Sequence, residues 1–204
     1  MKYAYWLHNI SGIGNAKIRM LYEVASSAEE IYHLPLQQLR KVPGLKEDDI
    51  KALQKSQKKW DLDKEWISLM EKGIGFVCLE QDEFPEKVRN IPNSPYALYY
   101  VGKLPNENRK CVAIVGARTR TAYGSQVAQE LGKALAKQGV SVISGLARGI
   151  DRDAHQGALD ANGETFAVLG NGVDICYPKE NKFIYNQMIE TRKNNAYRKV
   201  NEEL

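Results

Sequence analysis

Three short apolar runs in the second half of the chain each end in a loop that contains glycine. They read Val112-Ala-Ile-Val-Gly-Ala-Arg118, Val140-Ser-Val-Ile-Ser-Gly-Leu-Ala-Arg148 and Thr165-Phe-Ala-Val-Leu-Gly170-Asn-Gly172. A helical spacing of apolar residues follows each loop. Strands that alternate with helices are typical of βαβ units, so the pattern predicts an α/β fold with a parallel sheet.

The first part of the chain, residues 1–72, has a helical pattern instead. Ile18 and Leu21 lie on one face of a predicted helix, and Ser27 is expected to cap the next one. A charged segment from about residue 47 to 71 predicts a long helix that is interrupted near Asp61. These patterns indicate a small helical domain before the sheet.

Two glycine turns in this helical part, Gly12-Ile-Gly14 and Pro43-Gly44-Leu45, resemble the hairpins of a helix-hairpin-helix or SAM-like module. In such hairpins, backbone N–H groups and a helix dipole hold a DNA phosphate. Lys17 and Arg19 are the cations near the first turn, whereas acidic residues follow the second. Two interpretations stay open here: contact with DNA, or tight turns in a structural or partner-binding domain.

The loops that follow the three predicted strands are candidates for a phosphate site. Right-handed crossovers bring such loops to one edge of the sheet, and glycine turns there attract anions. Arg118 stands in the first loop where a dinucleotide-binding motif would require a second glycine. This favours a guanidinium offered to a phosphate over a nicotinamide or flavin site.

The second loop offers further donors and an ambiguity. The Ser144 hydroxyl and the Gly145 N–H are candidates to hold a phosphate oxygen. Arg148 is expected either to contact phosphate or to pair with one of the acidic residues that follow it, Asp151 and Asp153. Asp151 occupies a position that suits a helix N-cap.

Three other residues near this edge have alternative interpretations. His155 lacks a serine or cysteine nucleophile in a recognisable motif, so a packed or hydrogen-bonding histidine is favoured over a catalytic base. Gly172 suits the close approach of a ligand, but a plain tight turn explains it as well. Lys179, considered from its position alone, is equally consistent with a phosphate contact and with a solvated residue at a helix start.

Composition narrows the class of protein only slightly. The 204 residues are 43% apolar and 26% charged, which is ordinary for a soluble globular protein. A net charge of +4 favours a polyanionic partner weakly, and no basic stripe is present, so a DNA site is expected to be a local pocket. The three cysteines lack metal spacing and suggest free thiols in a reducing cytosol. The N-terminal residues do not resemble a signal peptide, and no run is long enough to span a membrane.

The loops resemble the signature of the DprA/Smf family of bacterial DNA-processing proteins. The matching segments are Ile114-Val-Gly-Ala-Arg118, Ser144-Gly-Leu-Ala-Arg-Gly-Ile-Asp151 and Tyr177-Pro-Lys-Glu-Asn181. The resemblance implies a Rossmann-like fold and a cytoplasmic, non-enzymatic protein without a cofactor. It implies single-stranded DNA and the RecA recombinase as partners during natural transformation, and a homodimer in full-length members. In the family, Arg118 and Lys179 fall on positions that grip the DNA backbone.

Together these inferences predict a nucleic-acid-binding site without catalytic or metal-binding residues. Its predicted members are Gly116, Arg118, Ser144, Gly145, Arg148, Gly172 and Lys179. An enzyme of a different class remains the alternative: a nucleotide-processing protein on a related fold, such as a nucleoside-monophosphate phosphoribohydrolase. The P-G-G-x-G-T-x-x-E motif of that enzyme is absent.

The predicted organisation has four segments. They are a helical domain over 1–72, a linking strand and lead-in over 73–110, a Rossmann-like domain over 111–190 and a polar tail over 191–204. The last segment departs from the family pattern. The sheet is therefore expected to be incomplete, with three βα units and its first strand at an edge, as in a truncated member.

Overall fold

The computed structural model describes residues 1–190 and 195–199, which divide into two compact units. Within the described residues, the first unit comprises residues 1–84 and 88–97. The second comprises residues 85–87, 98–190 and 195–199.

The first unit is built mainly from helices. Its elements are α1 (Lys2–His8), α2 (Asn15–Tyr22), α3 (Ala28–His33), α4 (Leu36–Leu39), α5 (Glu47–Lys59), α6 (Leu62–Glu71) and the strand β1 (Gly75–Cys78). The short helix α7 (Glu86–Arg89) and the strand β2 (Ala97–Val101) lie where the chain passes between the units.

Side-chain caps set the helix boundaries that the sequence predicts. The Ser27 side chain accepts a hydrogen bond from the N–H of Glu30 at 3.1 Å and begins α3. Asp61 accepts one from the N–H of Lys64 at 3.1 Å, which begins α6 and separates it from α5. The predicted break near Asp61 is therefore confirmed, and so is the shared burial of Ile18 and Leu21 on α2.

The cations near the first glycine turn are engaged within the first unit. Lys17 Nζ lies 2.6 Å from the carbonyl oxygen of Gly12 and 2.6 Å from a carboxylate oxygen of Asp49 on α5. Arg19 donates to the carbonyl oxygen of Ser94 at 2.9 Å. These contacts support the interpretation that the turns organise a helical domain, and DNA contact at the turns stays a prediction.

The second unit is an α/β layer. In chain order its further elements are β3 (Cys111–Ala113), α8 (Ala122–Lys137), β4 (Ser141–Ser144), α9 (Ile150–Asp160), β5 (Thr165–Leu169), a 3-10 turn (Lys179–Asn181), α10 (Lys182–Glu190) and β6 (Asn195–Lys199). Its strands lie in the order β2-β6-β5-β4-β3. The strands β3, β4, β5 and β6 run parallel, and β2 runs antiparallel to β6. The predicted parallel sheet with βα crossovers is confirmed.

The strand β6 corrects one prediction. Residues 195–199 were expected to belong to a polar tail, but they pair with β5 from Phe166 to Leu169 and with β2 from Leu98 to Val101. The three predicted βα units are present, and β6 adds a further parallel strand beside β5. A polar strand is stable in this position because its backbone groups hydrogen-bond to a neighbour on each side.

The three long helices of this unit cover one face of the sheet. Val142 of β4 packs in a cluster with α8 and α9, and Ala167 of β5 packs against α10. The register pairs Ser144 with Ala167, and Val142 lies two residues before Ser144, so Val142 and Ala167 point to the same face. At the other end of the order, β3 is an edge strand among the described residues, as predicted, and Val115 beyond it is 72% exposed.

Two glycines allow the backbones of α8 and α9 to come into direct contact. A Cβ atom built on Gly132 of α8 would lie 2.4 Å from the carbonyl oxygen of Ala154. One built on Gly157 of α9 would lie 2.1 Å from the carbonyl oxygen of Gln129. No side chain fits at either position, so the helix pair depends on these two glycines.

We expect Gly157→Ala to destabilise the protein by about 1–3 kcal/mol, because the added methyl group must push two helix backbones apart. The matched control is Gly170→Ala, where a Cβ atom would meet nothing within 4 Å, so a change within about 0.5 kcal/mol is expected. Urea unfolding followed by circular dichroism measures both. Equal stability of the two variants would contradict the close helix contact.

Candidate nucleic-acid interface

The loops after β3 and β4 touch through their backbones. Gly149, at the start of α9, has a φ of +81°, and a Cβ atom there would lie 2.2 Å from the carbonyl oxygen of Ala117 and 2.6 Å from that of Arg118. The N–H of Ile150 donates to the carbonyl oxygen of Ala117 at 3.3 Å. A glycine is required at position 149 for both reasons, and it brings the loop of Arg118 beside that of Arg148.

Two buried side chains fix the backbone of the loop after β4. A carboxylate oxygen of Asp151 accepts from the N–H groups of Gly145 at 3.1 Å and Ala147 at 3.4 Å. The side-chain amide of Asn181, in the 3-10 turn, donates to the carbonyl oxygens of Leu146 at 2.8 Å and Ala147 at 3.1 Å. The contacts of Asn181 therefore tie the segment after residue 177 to the same loop.

The two donors of the second loop that were expected to bind phosphate, the Ser144 hydroxyl and the Gly145 N–H, are used inside the protein. The Ser144 hydroxyl donates to the carbonyl oxygen of Ile114 at 2.6 Å, and the Gly145 N–H donates to Asp151. Asp151 also differs from its predicted role: the N-cap of α9 is Gly149, and Asp151 is the second residue of the helix. Its carboxylate holds the preceding loop instead of the helix end.

Arg118 and Lys179 are exposed and have no ion-pair partner among the described residues. The arginine of this loop that pairs with an acid is Arg120, which the sequence analysis did not single out. Its guanidinium makes two contacts to the carboxylate of Asp153, one of them 3.1 Å long. The Asp153 side chain is 3% exposed, so this pair is a fixed part of the loop.

Arg148 also forms an ion pair, but with an acid that the sequence analysis did not consider. Its Nη2 lies 2.5 Å from Oε1 of Glu180, and the two side chains are 62% and 58% exposed. The candidates considered before, Asp151 and Asp153, are occupied by backbone N–H groups and by Arg120. The contact places Arg148 next to the residue that follows Lys179.

Two of the three predicted site glycines, Gly116 and Gly172, lie close to neighbouring side chains. A Cβ atom on Gly116 would lie 2.7 Å from Cγ1 and 2.9 Å from Cβ of Ile150, at the start of α9, so this position favours glycine. One on Gly172 would lie 2.7 Å from a carboxylate oxygen of Asp174, an exposed side chain that can rotate away.

His155 is a structural residue. Its ring is fully buried, and Nδ1 lies 2.7 Å from the hydroxyl of Thr165, which itself donates to the carbonyl oxygen of Val142 at 2.8 Å. Nδ1 must therefore carry the proton, and Nε2 has no hydrogen-bond partner among the described residues. Burial lowers the pKa of His155 to about 3. The predicted packed, hydrogen-bonded histidine is confirmed.

Sequence reasoning missed the functions of two residues at this edge. Asn181 and Glu180 were noted only as part of a matching segment, and each interacts with a residue more than 30 positions away. No spacing rule connects such residues, because the contact depends on how the loops fold against each other. Arg120 was similarly read only as part of its loop.

A family model described as DNA recombination-mediator protein A matches residues 75–194. The chain belongs to this family. Among curated relatives, Protein Smf of Synechocystis is 38% identical over 122 residues, which are 58% of this chain and 31% of that protein. DNA processing protein DprA of Bacillus subtilis is 35% identical over 113 residues, 54% of this chain and 38% of the relative. The chain thus matches about a third of the length of these relatives.

Solved structures of DNA processing proteins are similar to this chain. DNA processing protein A from Streptococcus pneumoniae has a TM-score of 0.77 at 24% identity and covers 98% of this chain and 68% of its own. DNA processing protein A from Helicobacter pylori, described for its single-stranded DNA binding mode, has a TM-score of 0.50 at 27% identity, over 63% of this chain and 57% of its own. The first similarity confirms the predicted Rossmann-like fold class.

None of the helices in the described residues combines the length and the apolar character needed to cross a membrane. Within the same residues, no group of three histidine, cysteine, aspartate or glutamate side chains is arranged to hold a metal ion.

We expect His155 to make stability depend on pH. Its pKa is about 3 when folded and about 6.5 when unfolded, so between these values the unfolded chain binds the extra proton. The stabilisation is complete above pH 6.5 and falls by about 1.4 kcal/mol for each pH unit below it. Urea unfolding of the wild type and of His155→Gln between pH 7 and pH 4.5 should show a shallower loss in the variant.

A second measurement covers the case in which His155→Gln does not fold. Nuclear magnetic resonance of the wild-type imidazole should report a neutral ring with the proton on Nδ1 down to about pH 4, as the folded pKa requires. A ring that titrates near pH 6.5 in the folded protein would contradict the burial of His155.

Proposed function

We propose that this chain binds single-stranded DNA at the carboxyl edge of its parallel sheet. The observation that supports the proposal best is the exposure of Arg118 and Lys179, which have no acidic partner among the described residues and lie on segments that both contact the loop of Arg148. An arginine and a lysine in that state are available to bind phosphate oxygens.

The contacts between the loops support convergence of these cations on one surface. The backbone of Arg118 touches Gly149, which follows Arg148 in sequence. The side chain of Arg148 in turn reaches Glu180, which follows Lys179. Arg118, Arg148 and Lys179 are therefore linked by contacts that each cation makes itself or that its neighbour in sequence makes. We expect a single stretch of DNA backbone to meet all three.

The family supports the kind of ligand and partner. Relatives carry the name DNA processing protein, and the Helicobacter pylori protein is described for single-stranded DNA binding. We infer a cytoplasmic recombination mediator that binds DNA without chemical conversion or cofactor, delivers it to the RecA recombinase during natural transformation, and acts as a homodimer. These inferences concern the whole protein. This chain matches about a third of the length of the curated relatives.

The environment of His155 gives no support to the enzyme alternative. A general base must reach the group that it deprotonates. His155 is fully buried between α9 and β5, and its Nδ1 proton is engaged by Thr165. Binding is therefore the activity that the exposed groups at this edge favour.

The first test is the salt dependence of binding to labelled oligo-dT. Arg118→Ala and Lys179→Ala should each weaken binding, and each should reduce the slope of log K against log salt by about 0.7, the contribution of one phosphate on a single strand. The control is Lys137→Ala, an exposed cation at the opposite end of α8, which should leave the slope unchanged. Wild-type slopes in both loop variants would remove the proposed site.

The second test concerns the strand state of the DNA. Base stacking contributes to many single-strand sites, but the exposed large aromatic side chains are limited among the described residues to Tyr123, Tyr177 and Phe183. We therefore expect recognition of the flexible backbone with little base preference. In competition assays, poly-dT and mixed single strands should bind within a few-fold of each other and above duplex. A preference for duplex would point to the glycine turns of the first unit instead.

A further inference from the structure

The ion pair between Arg148 and Glu180 differs in kind from the other arginine pair at this edge. Asp153, the partner of Arg120, is buried and receives two contacts. Arg148 and Glu180 share a single contact of 2.5 Å, and each side chain is more than half exposed. Exposed pairs of this sort contribute little to stability and exchange readily with other ions.

The backbone around this pair does not depend on it. The loop that carries Arg148 is held by Asp151 through two N–H groups and by Asn181 through two carbonyl groups. Glu180 lies in the same 3-10 turn as Asn181. Separation of the two side chains therefore leaves both backbone segments in place.

Glu180 offers Arg148 the same chemistry as a DNA phosphate. A carboxylate and a phosphate both present anionic oxygens that a guanidinium binds through N–H groups. The pKa of the Glu180 carboxyl is lowered, first by a hydrogen bond from its own backbone N–H and then by Arg148. Glu180 is thus ionised at neutral pH and keeps a partner when Arg148 leaves it.

We propose that Glu180 is an internal competitor for DNA at Arg148: it holds the guanidinium beside the empty site, and a phosphate displaces it when DNA binds. This inference rests on the proposed function, since the competing ligand is the DNA backbone. Glu180 then sets the affinity and salt dependence of the site by withholding one of its three cations. Arg118 and Lys179 make the initial contact, and Arg148 joins after the exchange.

The test is a double-mutant cycle on binding to labelled oligo-dT with the full 204-residue chain. Glu180→Gln keeps the shape and removes the charge, so binding should become roughly two- to fivefold tighter. The log–log salt slope should steepen by up to about 0.7, because Arg148 then neutralises a phosphate without an exchange. In an Arg148→Ala background, Glu180→Gln should have no effect beyond that of the control Glu130→Gln, an exposed carboxylate on α8.

Two outcomes would overturn the proposal that Glu180 competes with DNA for Arg148. Equal tightening by Glu180→Gln with and without Arg148 would make Glu180 a general repulsive charge, and weaker binding would make it a positioning residue for the Arg148 side chain. Failure of the DNA site itself is distinguished by Arg118→Ala and Lys179→Ala. If these two variants weaken binding while Glu180→Gln does nothing, the proposed function stands and the competitor is rejected.

Discussion

The candidate site depends on one close backbone contact, where Gly149 meets the carbonyl groups of Ala117 and Arg118. With a φ of +81° and oxygen atoms within 2.6 Å of where a Cβ atom would stand, no other residue fits without strain. Because of this contact, the loops after β3 and β4 behave as one surface. The same glycine begins α9, so the sheet edge and the helix that covers the sheet are fixed together.

Burial of the acidic partner separates structural arginines from available ones. Asp153 is buried and holds Arg120 permanently, since an unpaired carboxylate there would be costly. Glu180 is exposed and holds Arg148 weakly. Arg118 and Lys179 have no acidic partner among the described residues. The cations of these loops therefore differ in how readily they could bind a phosphate: Arg120 is fixed, Arg148 is weakly paired, and Arg118 and Lys179 have no acidic partner among the described residues.

The sequence pattern predicted correctly those helices and strands that are determined by residues close to one another in the chain. The runs before Gly116, Gly145 and Gly170 became parallel strands, and the caps at Ser27 and Asp61 began helices, because neighbouring residues determine these features. The strand β6 was missed because its pairing with β2 and β5 is supplied by distant residues, and its own sequence is polar. Similarly, the partners of Arg148 and Asn181 were missed because they depend on the folded arrangement of the loops.

The internal use of the Ser144, Gly145 and Ala147 donors means that the proposed DNA site depends on cationic side chains. In many phosphate-binding loops, glycine N–H groups and a helix N-terminus face the anion. Here the N–H groups of Gly145 and Ala147 face the carboxylate of Asp151, and the Ser144 hydroxyl faces the carbonyl oxygen of Ile114. A loop built in this way has an internally satisfied backbone, and its exposed cations are the groups left to contact DNA in the proposed site. Contacts to phosphate position a nucleic acid but carry no direct information on its base sequence.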